Sequence, residues 1–236
     1  MKILAFDSTA KSASVAVLED ERLLGLYNLD NGLTHSELLL PMAEALLSSL
    51  KLKIEDIGLF AAAVGPGSFT GVRIGAALVK GLAFGRDIPC AAVSTLEALA
   101  ENLRGVKGYI IPCMDARRAQ AYTATFRSCN GAVERLTEDR AISLSSLASE
   151  LSGIAAPIYI VGDGYDVATR ALRAAGIKTE DTPPLLIQQS AYSIGLVALR
   201  QYRLGEVKSD REISPTYLRM PQAERERLER LKNESK

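Results

Sequence analysis

Residues 1–29 read MKILAFDSTAKSASVAVLEDERLLGLYNL, and their patterning sets the fold class. Lys2–Phe6 is a short apolar run, and Asp7-Ser8-Thr9 closes it with a polar turn. From Ser12 to Leu18 small polar and apolar residues alternate, with Ala13, Val15 and Val17 on one face, which is the period of a strand. Glu19-Asp20-Glu21 is a charged turn. Arg22–Leu29 is a third strand, ended by Asn31-Gly32. Three strands joined by two short connections predict a sheet that opens with two hairpins.

The next segments are helical as well as extended. Thr34–Leu50 places Leu39, Met42, Ala43, Leu46 and Leu50 on one helical face. Thr34 or Ser36 can cap it, and Glu37 puts a negative charge in its first turn. Leu40 and Leu47 widen the apolar arc on one side, and Leu38 and Ala45 on the other. The arc is wider than one sheet contact needs, so the helix is either deeply buried or meets a partner. Ile57–Val64 is almost continuously apolar, as in a strand covered on both faces. A helix over 70–84 carries Gly71 and Gly75 four apart, with Leu78 and Leu82 on the same side and Ala77 and Gly81 as a further small pair. Each helical glycine costs about 1 kcal/mol against alanine, so these predict the close approach of another backbone. Ile88–Val93 is a strand, and Ser94 with Glu97 forms a capping box.

A second unit begins near Gly105, with strands over 109–114, 120–126 and 157–161 and helices over 143–151, 165–175 and 190–202. Asn130-Gly131 signals a hairpin, and Pro215–Arg219 is extended. Over 222–231 the chain is polar, with the opposite-charge pairs Arg225/Glu229 and Glu226/Arg230, and reads as an exposed helix. The expected division is a first subdomain of residues 1–104 plus 205–236 and a smaller second one of residues 105–204.

Composition narrows the class further. The 236 residues are 47% hydrophobic and 24% charged, enough to bury a core without staples and unlike a disordered chain. Lys plus Arg and Asp plus Glu both total 28, so the body is not the basic kind that binds nucleic acid unaided. Aromatics are 6% and Trp is absent, which disfavours a base-stacking platform. Cys90, Cys113 and Cys129 form no CxxC motif, and their odd number argues against a disulfide framework; three buried thiols in a reducing compartment are expected. The N-terminal apolar run is interrupted by Asp7 and Lys11 and is too short for a signal core or a membrane span. A cytoplasmic protein that does not engage a membrane is expected.

Candidate chemistry is sparse. Gly65, Gly67 and Gly71 lie between a strand and a helix, where N–H groups can face a phosphate. Their spacing is neither GxxxxGKS/T nor GxGxxG, and a structural turn is the competing reading. Asp7 at the end of the first strand resembles the metal–phosphate loop of actin-like and sugar-kinase folds, where a carboxylate holds a hydrated cation near phosphates. The alternative is a turn aspartate accepting local N–H bonds. Such folds have a second phosphate hairpin, and 161–164, with Asp163, is the nearest match. His35 is the sole histidine; Leu39 occupies the position four residues on, so no helical metal pair exists. No GxSxG elbow occurs. Asp115, Arg117 and Arg118 cluster at a strand end, where the arginines can clamp a phosphate or carboxylate or simply stand in a solvated turn.

Asp7-Ser8-Thr9, Ser12–Val17, the run Thr34-His35-Ser36-Glu37 with Leu39-Leu40-Pro41, and GPGSFTGVRIG at 65–75 together closely resemble the bacterial TsaB (YeaZ) family. Asp115-Ala116-Arg117-Arg118 and 215–219, with Gln222-Ala223-Glu224-Arg225, extend the resemblance over essentially the whole chain. It implies an α/β fold of the actin-like ATPase, sugar kinase and Hsp70 type, with two related subdomains and mixed sheets. It also implies a role in making N6-threonylcarbamoyladenosine at position 37 of tRNAs that read ANN codons. In that scheme a separate enzyme makes threonylcarbamoyl-AMP, TsaD transfers the carbamoyl group, and TsaB is a non-catalytic partner of TsaD that the ATPase TsaE joins. ATP and a divalent metal are then used on partner subunits, with none bound by this chain alone. His35 matches the first of two metal-binding histidines in TsaD and Leu39 replaces the second, so an older glycoprotein endopeptidase label has no support here. The expected partner surface comprises His35, Glu37, Leu40, Leu47, Gly71, Gly75 and Leu78, on two helices that pair with like helices of TsaD or, without TsaD, of a second copy in a homodimer. Arg117 and Arg118 are candidate tRNA or anion contacts; no catalytic or metal residue is expected. An actin-like-fold ATPase or small-molecule kinase is the alternative function.

Overall fold

A computed structural model describes residues 1–219. The first half runs β1 (Lys2–Asp7), β2 (Ala13–Glu19), β3 (Arg22–Leu29), α1 (His35–Ser49), β4 (Leu59–Gly65), α2 (Phe69–Ala83), β5 (Cys90–Ser94) and α3 (Thr95–Glu101). The second runs β6 (Gly108–Asp115), β7 (Gln120–Thr123), β8 (Phe126–Cys129), β9 (Ala132–Arg135), β10 (Arg140–Ser143), α4 (Leu144–Leu151), β11 (Ile158–Val161) and α5 (Tyr165–Ala174). The short α6 (Pro184–Ile187) and α7 (Ala191–Leu204) follow. The helix read over 222–231 lies outside the described residues.

The first sheet has the order β3-β2-β1-β4-β5. β1 is antiparallel to β2 and parallel to β4, with Ala5 opposite both Ala16 and Ala61. In the second half β6 is likewise antiparallel to the next strands, β7 and β8, and parallel to β11. Each first strand thus leads into antiparallel partners, then a helix (α1 or α4), then a parallel strand (β4 or β11) and a further helix (α2 or α5). These are the two related subdomains with mixed sheets expected of the actin-like type.

Layers form where each sheet buries both faces. Phe6, Val15, Val17 and Phe60 point into a core shared with Leu39, Met42 and Leu46 of α1 and Val79 of α2. On the other face Ile3, Ala5, Ala16 and Leu18 pack under Ile194, Val197 and Ala198 of α7. The expected boundary at residue 204 is therefore corrected: α7 completes the first subdomain. Its contact with the sheet is close, since a Cβ on Gly195 would stand 2.4 Å from Leu18. In the second half Leu147, Leu151, Ala168 and Leu172 cover one face of the sheet. Leu96, Leu99 and Leu103, from α3 and the turn after it, pack with Ile110 and Phe126 on the other. α3 is thus held between the halves. Around it Arg135 of β9 and Arg200 of α7 both pair with Glu97, at 3.2 and 2.6 Å. Cys90 and Cys113 are buried, but Cys129 is exposed at the β8 hairpin, against the expectation of three buried thiols. Among the described residues no helix is long and apolar enough to cross a membrane.

Candidate functional site

Two features gather the residues singled out by sequence: the cleft between the halves and the α1–α2 layer. The ends of β1, β4, β6 and β11, at Asp7, Gly65, Asp115 and Val161, lead into loops that line the cleft, with Asp115 and Asp163 themselves on its surface. The Asp7 carboxyl is buried, and its Oδ1 accepts from the Thr9 amide at 2.8 Å and the Thr9 hydroxyl at 2.7 Å. Burial pushes this carboxyl up to about 6 despite those bonds.

The Gly65–Gly71 loop folds onto the Asp7–Thr9 turn. Ser68 donates its amide to Thr9 O at 2.7 Å, and Gly71 donates its amide to Ser68 Oγ at 3.2 Å, so these two groups face the protein's own atoms. Ser8 Oγ donates to Gly71 O at 2.9 Å. A Cβ on Gly71 would stand 1.8 Å from Ser8 O, and one on Gly75 would stand 2.8 Å from Ser8 Oγ. The close approach foreseen for these glycines is therefore made by the same chain, and both leave the expected partner surface.

On the opposite wall the β6–β7 turn presents Arg117 and Arg118, both exposed. By its place after the first strand of its half, this turn, rather than 161–164, is the counterpart of the Asp7 loop. The 162–164 loop corresponds instead to the loop at Gly65. Arg117 donates its amide to Asp115 Oδ1 at 2.7 Å, and its guanidinium lies 3.6 Å from the same carboxylate. The Asp115 amide donates to Asp163 Oδ1 at 3.1 Å. Desolvation first, and then the charge of Asp115, raise the Asp163 carboxyl above its ordinary value. The cleft between the walls encloses about 760 Å³ and is lined by Thr9, Lys11, Gly67, Met114 and Asp163, among others. Tyr217 and Arg219 also line it. The sequence pattern of 215–219 is extended and puts it with the first subdomain, but nothing in that pattern says that it crosses this cleft.

The α1–α2 layer places the remaining candidates. His35 makes a 2.8 Å hydrogen bond between Nε2 and Ala10 O, tying α1 to the loop after β1. Glu37 completes the capping box, accepting from the Thr34 amide at 3.0 Å and the Thr34 hydroxyl at 2.6 Å, and these bonds hold its carboxyl below the ordinary range. Leu40 is 42% exposed, and Leu78 is half-buried against the core. Leu47 is only 9% exposed and belongs to that core, so it too leaves the expected partner surface. Phe84, just past α2, is 73% exposed and was not foreseen.

The chain is similar to known proteins along most of its length. A profile of the family described as TsaD, tRNA N6-adenosine threonylcarbamoyltransferase, matches residues 32–226. The tRNA threonylcarbamoyladenosine biosynthesis protein TsaB of Bacillus subtilis (strain 168) is 36% identical over 162 residues, which cover 69% of this chain and 71% of that protein. TsaB of Escherichia coli (strain K12) is 28% identical over 222 residues, 93% of this chain and 95% of that one. Among solved structures, YeaZ from Pseudomonas aeruginosa aligns with a TM-score of 0.75 at 26% identity, covering 92% of this chain and 99% of that one.

Proposed function

The chain belongs to the TsaB (YeaZ) family of tRNA threonylcarbamoyladenosine biosynthesis proteins, and from that premise we propose that it is the non-catalytic subunit that binds and supports TsaD. The observation that carries this reading is the outer side of the α1–α2 layer. Its inner side is buried on the first sheet, yet Leu40 of α1 is 42% exposed, Leu33 just before α1 55% and Phe84 just after α2 73%. Apolar surface on a paired-helix layer suits a like pair of helices, from TsaD or from a second copy when TsaD is absent. In this reading His35, Glu37 and Leu78 contribute to the same partner surface. On the same reading the metal and ATP belong to the partner subunits, with TsaE joining the complex. Arg117 and Arg118 add a modest contact to tRNA phosphates in that complex. The protein then acts in the cytoplasm, with its tRNA substrate.

Leu40→Glu tests the reading directly. The variant should fold as the parent does, bind TsaD at least tenfold more weakly, about 1.4 kcal/mol, and shift the free chain from dimer to monomer in sedimentation. Unchanged TsaD affinity in the folded Leu40→Glu and Phe84→Glu variants removes this face from the interface.

A further inference from the structure

Ile213 is fully buried in the core beneath α1 and α2. Beyond it no residue up to Arg219 is buried: Ser214, Thr216 and Tyr217 are exposed, and Pro215, Leu218 and Arg219 are half-buried. The segment nevertheless spans the cleft. At the first-half wall the Thr216 amide donates to Val64 O at 2.8 Å. The Thr216 carbonyl oxygen lies 2.6 Å from where a Cβ on residue 65 would stand, at a φ of +121°, so only glycine is accommodated there. Over the start of α2 the rings of Tyr217 and Phe69 are 5.0 Å apart. The Arg73 guanidinium sits 3.7 Å above Phe69, and its Nε donates to the Tyr217 hydroxyl at 2.7 Å. At the second-half wall Arg219 donates to Ala116 O at 3.2 Å and to Gln120 Oε1, and lies 5.5 Å over the Tyr122 ring.

The turn that Arg219 grips is unusual. Arg117, Arg118 and Ala119 hold φ values of +64°, +53° and +54° in succession, a left-handed run that residues with a Cβ avoid. A fastening made of exposed polar and aromatic contacts, next to a fully buried anchor, opens more easily than the body it crosses. We propose that residues 214–219 form a releasable strap: Ile213 anchors it, Tyr217 and Arg219 fasten it, and its release frees the 115–120 turn. The strap rests on these contacts alone and stands apart from the assignment of TsaD as partner.

Hydrogen exchange on the full chain tests the strap. The Thr216 amide, and the Ala116 and Gln120 amides that bond to Gln120 O and Arg117 O, should exchange through one shared opening. That opening should be at least a hundredfold more frequent than opening of the β1 core. Arg219→Ala and Tyr217→Ala should each speed exchange at 116 and 120 at least tenfold and leave β1 amides unchanged. Tyr217→Phe, which loses only the Arg73 bond, should give a smaller rise at the same amides. If neither alanine variant folds, Tyr217→Phe and Arg219→Lys carry the same comparison. Exchange at 116 and 120 that ignores these substitutions overturns the proposal, and so does a Thr216 amide that opens only together with β1.

Discussion

Asp7→Asn should stabilise the protein at neutral pH. The carboxyl is 1% exposed, and burial raises it from 3.8 to about 6. At about 1.4 kcal/mol per pH unit, that difference amounts to about 3 kcal/mol. The sign follows from proton binding. Between 3.8 and 6 the folded chain holds a proton that the unfolded chain releases, so stability is fully present below 3.8 and falls as pH rises through 6. Asparagine keeps an oxygen to accept from the Thr9 amide and hydroxyl but never ionises. Equilibrium urea unfolding of parent and variant from pH 4 to pH 7.5 reads the difference directly, because every other titrating group is common to both. The variant should gain up to about 3 kcal/mol at pH 7.5, and the gain should vanish by pH 4. A variant no more stable than the parent at pH 7.5, or one whose difference is flat with pH, would show that the buried carboxylate is fully compensated by its neighbours, and the desolvation argument would fail.

Gly71→Ala should destabilise by several kcal/mol or abolish folding, because the added methyl meets a backbone oxygen at 1.8 Å. Gly81→Ala, in the same helix with nothing within 4 Å, should raise the melting temperature by an amount equivalent to about 0.5–1 kcal/mol. Leu47→Ala should cost about 2–4 kcal/mol in denaturant unfolding, while Leu40→Ala stays within about 1 kcal/mol. Replacing Arg117 and Arg118 together by glutamine should lower the salt dependence of tRNA binding by the assembled complex; an unchanged slope would confine Arg117 to its pairing with Asp115.

Much of the architecture was legible because strand and helix periods are local. The Lys2–Leu29 hairpins, α1 and α2 lie where alternation, caps and glycines put them. What periodicity cannot give is extent along an axis. Leu40 and Leu47 are seven apart and share one side of α1, yet one is exposed and the other buried, because angle says nothing about where neighbouring elements end. The helical glycines announced that a backbone comes close but not where or whose; at Gly71 it is the Ser8 carbonyl, at Gly75 the near group is the Ser8 hydroxyl, and Gly81 has no close neighbour. The helix at 191–204 carries an apolar face that either sheet could have taken, and only the packed structure assigns it to the first. The Tyr217, Phe69, Arg73 and Arg219 group was invisible, since its members are 144 positions apart at Arg73 and Tyr217 and no local pattern links them.

The return of α7 to the first sheet has a consequence for how the chain is made. A ribosome delivers β1, β2 and β4 early, but one face of that sheet stays uncovered until Ile194, Val197 and Ala198 emerge, and the opposite core lacks Ile213 for longer still. The second subdomain, by contrast, has its own helices α4 and α5 within the same stretch of chain as its strands. The part synthesised first is therefore the part completed last. During that interval Ile3, Ala5, Ala16 and Leu18 form an apolar strip open to chaperones or to misassociation. Premature termination anywhere before residue 191 should yield an aggregating fragment rather than a stable half-protein.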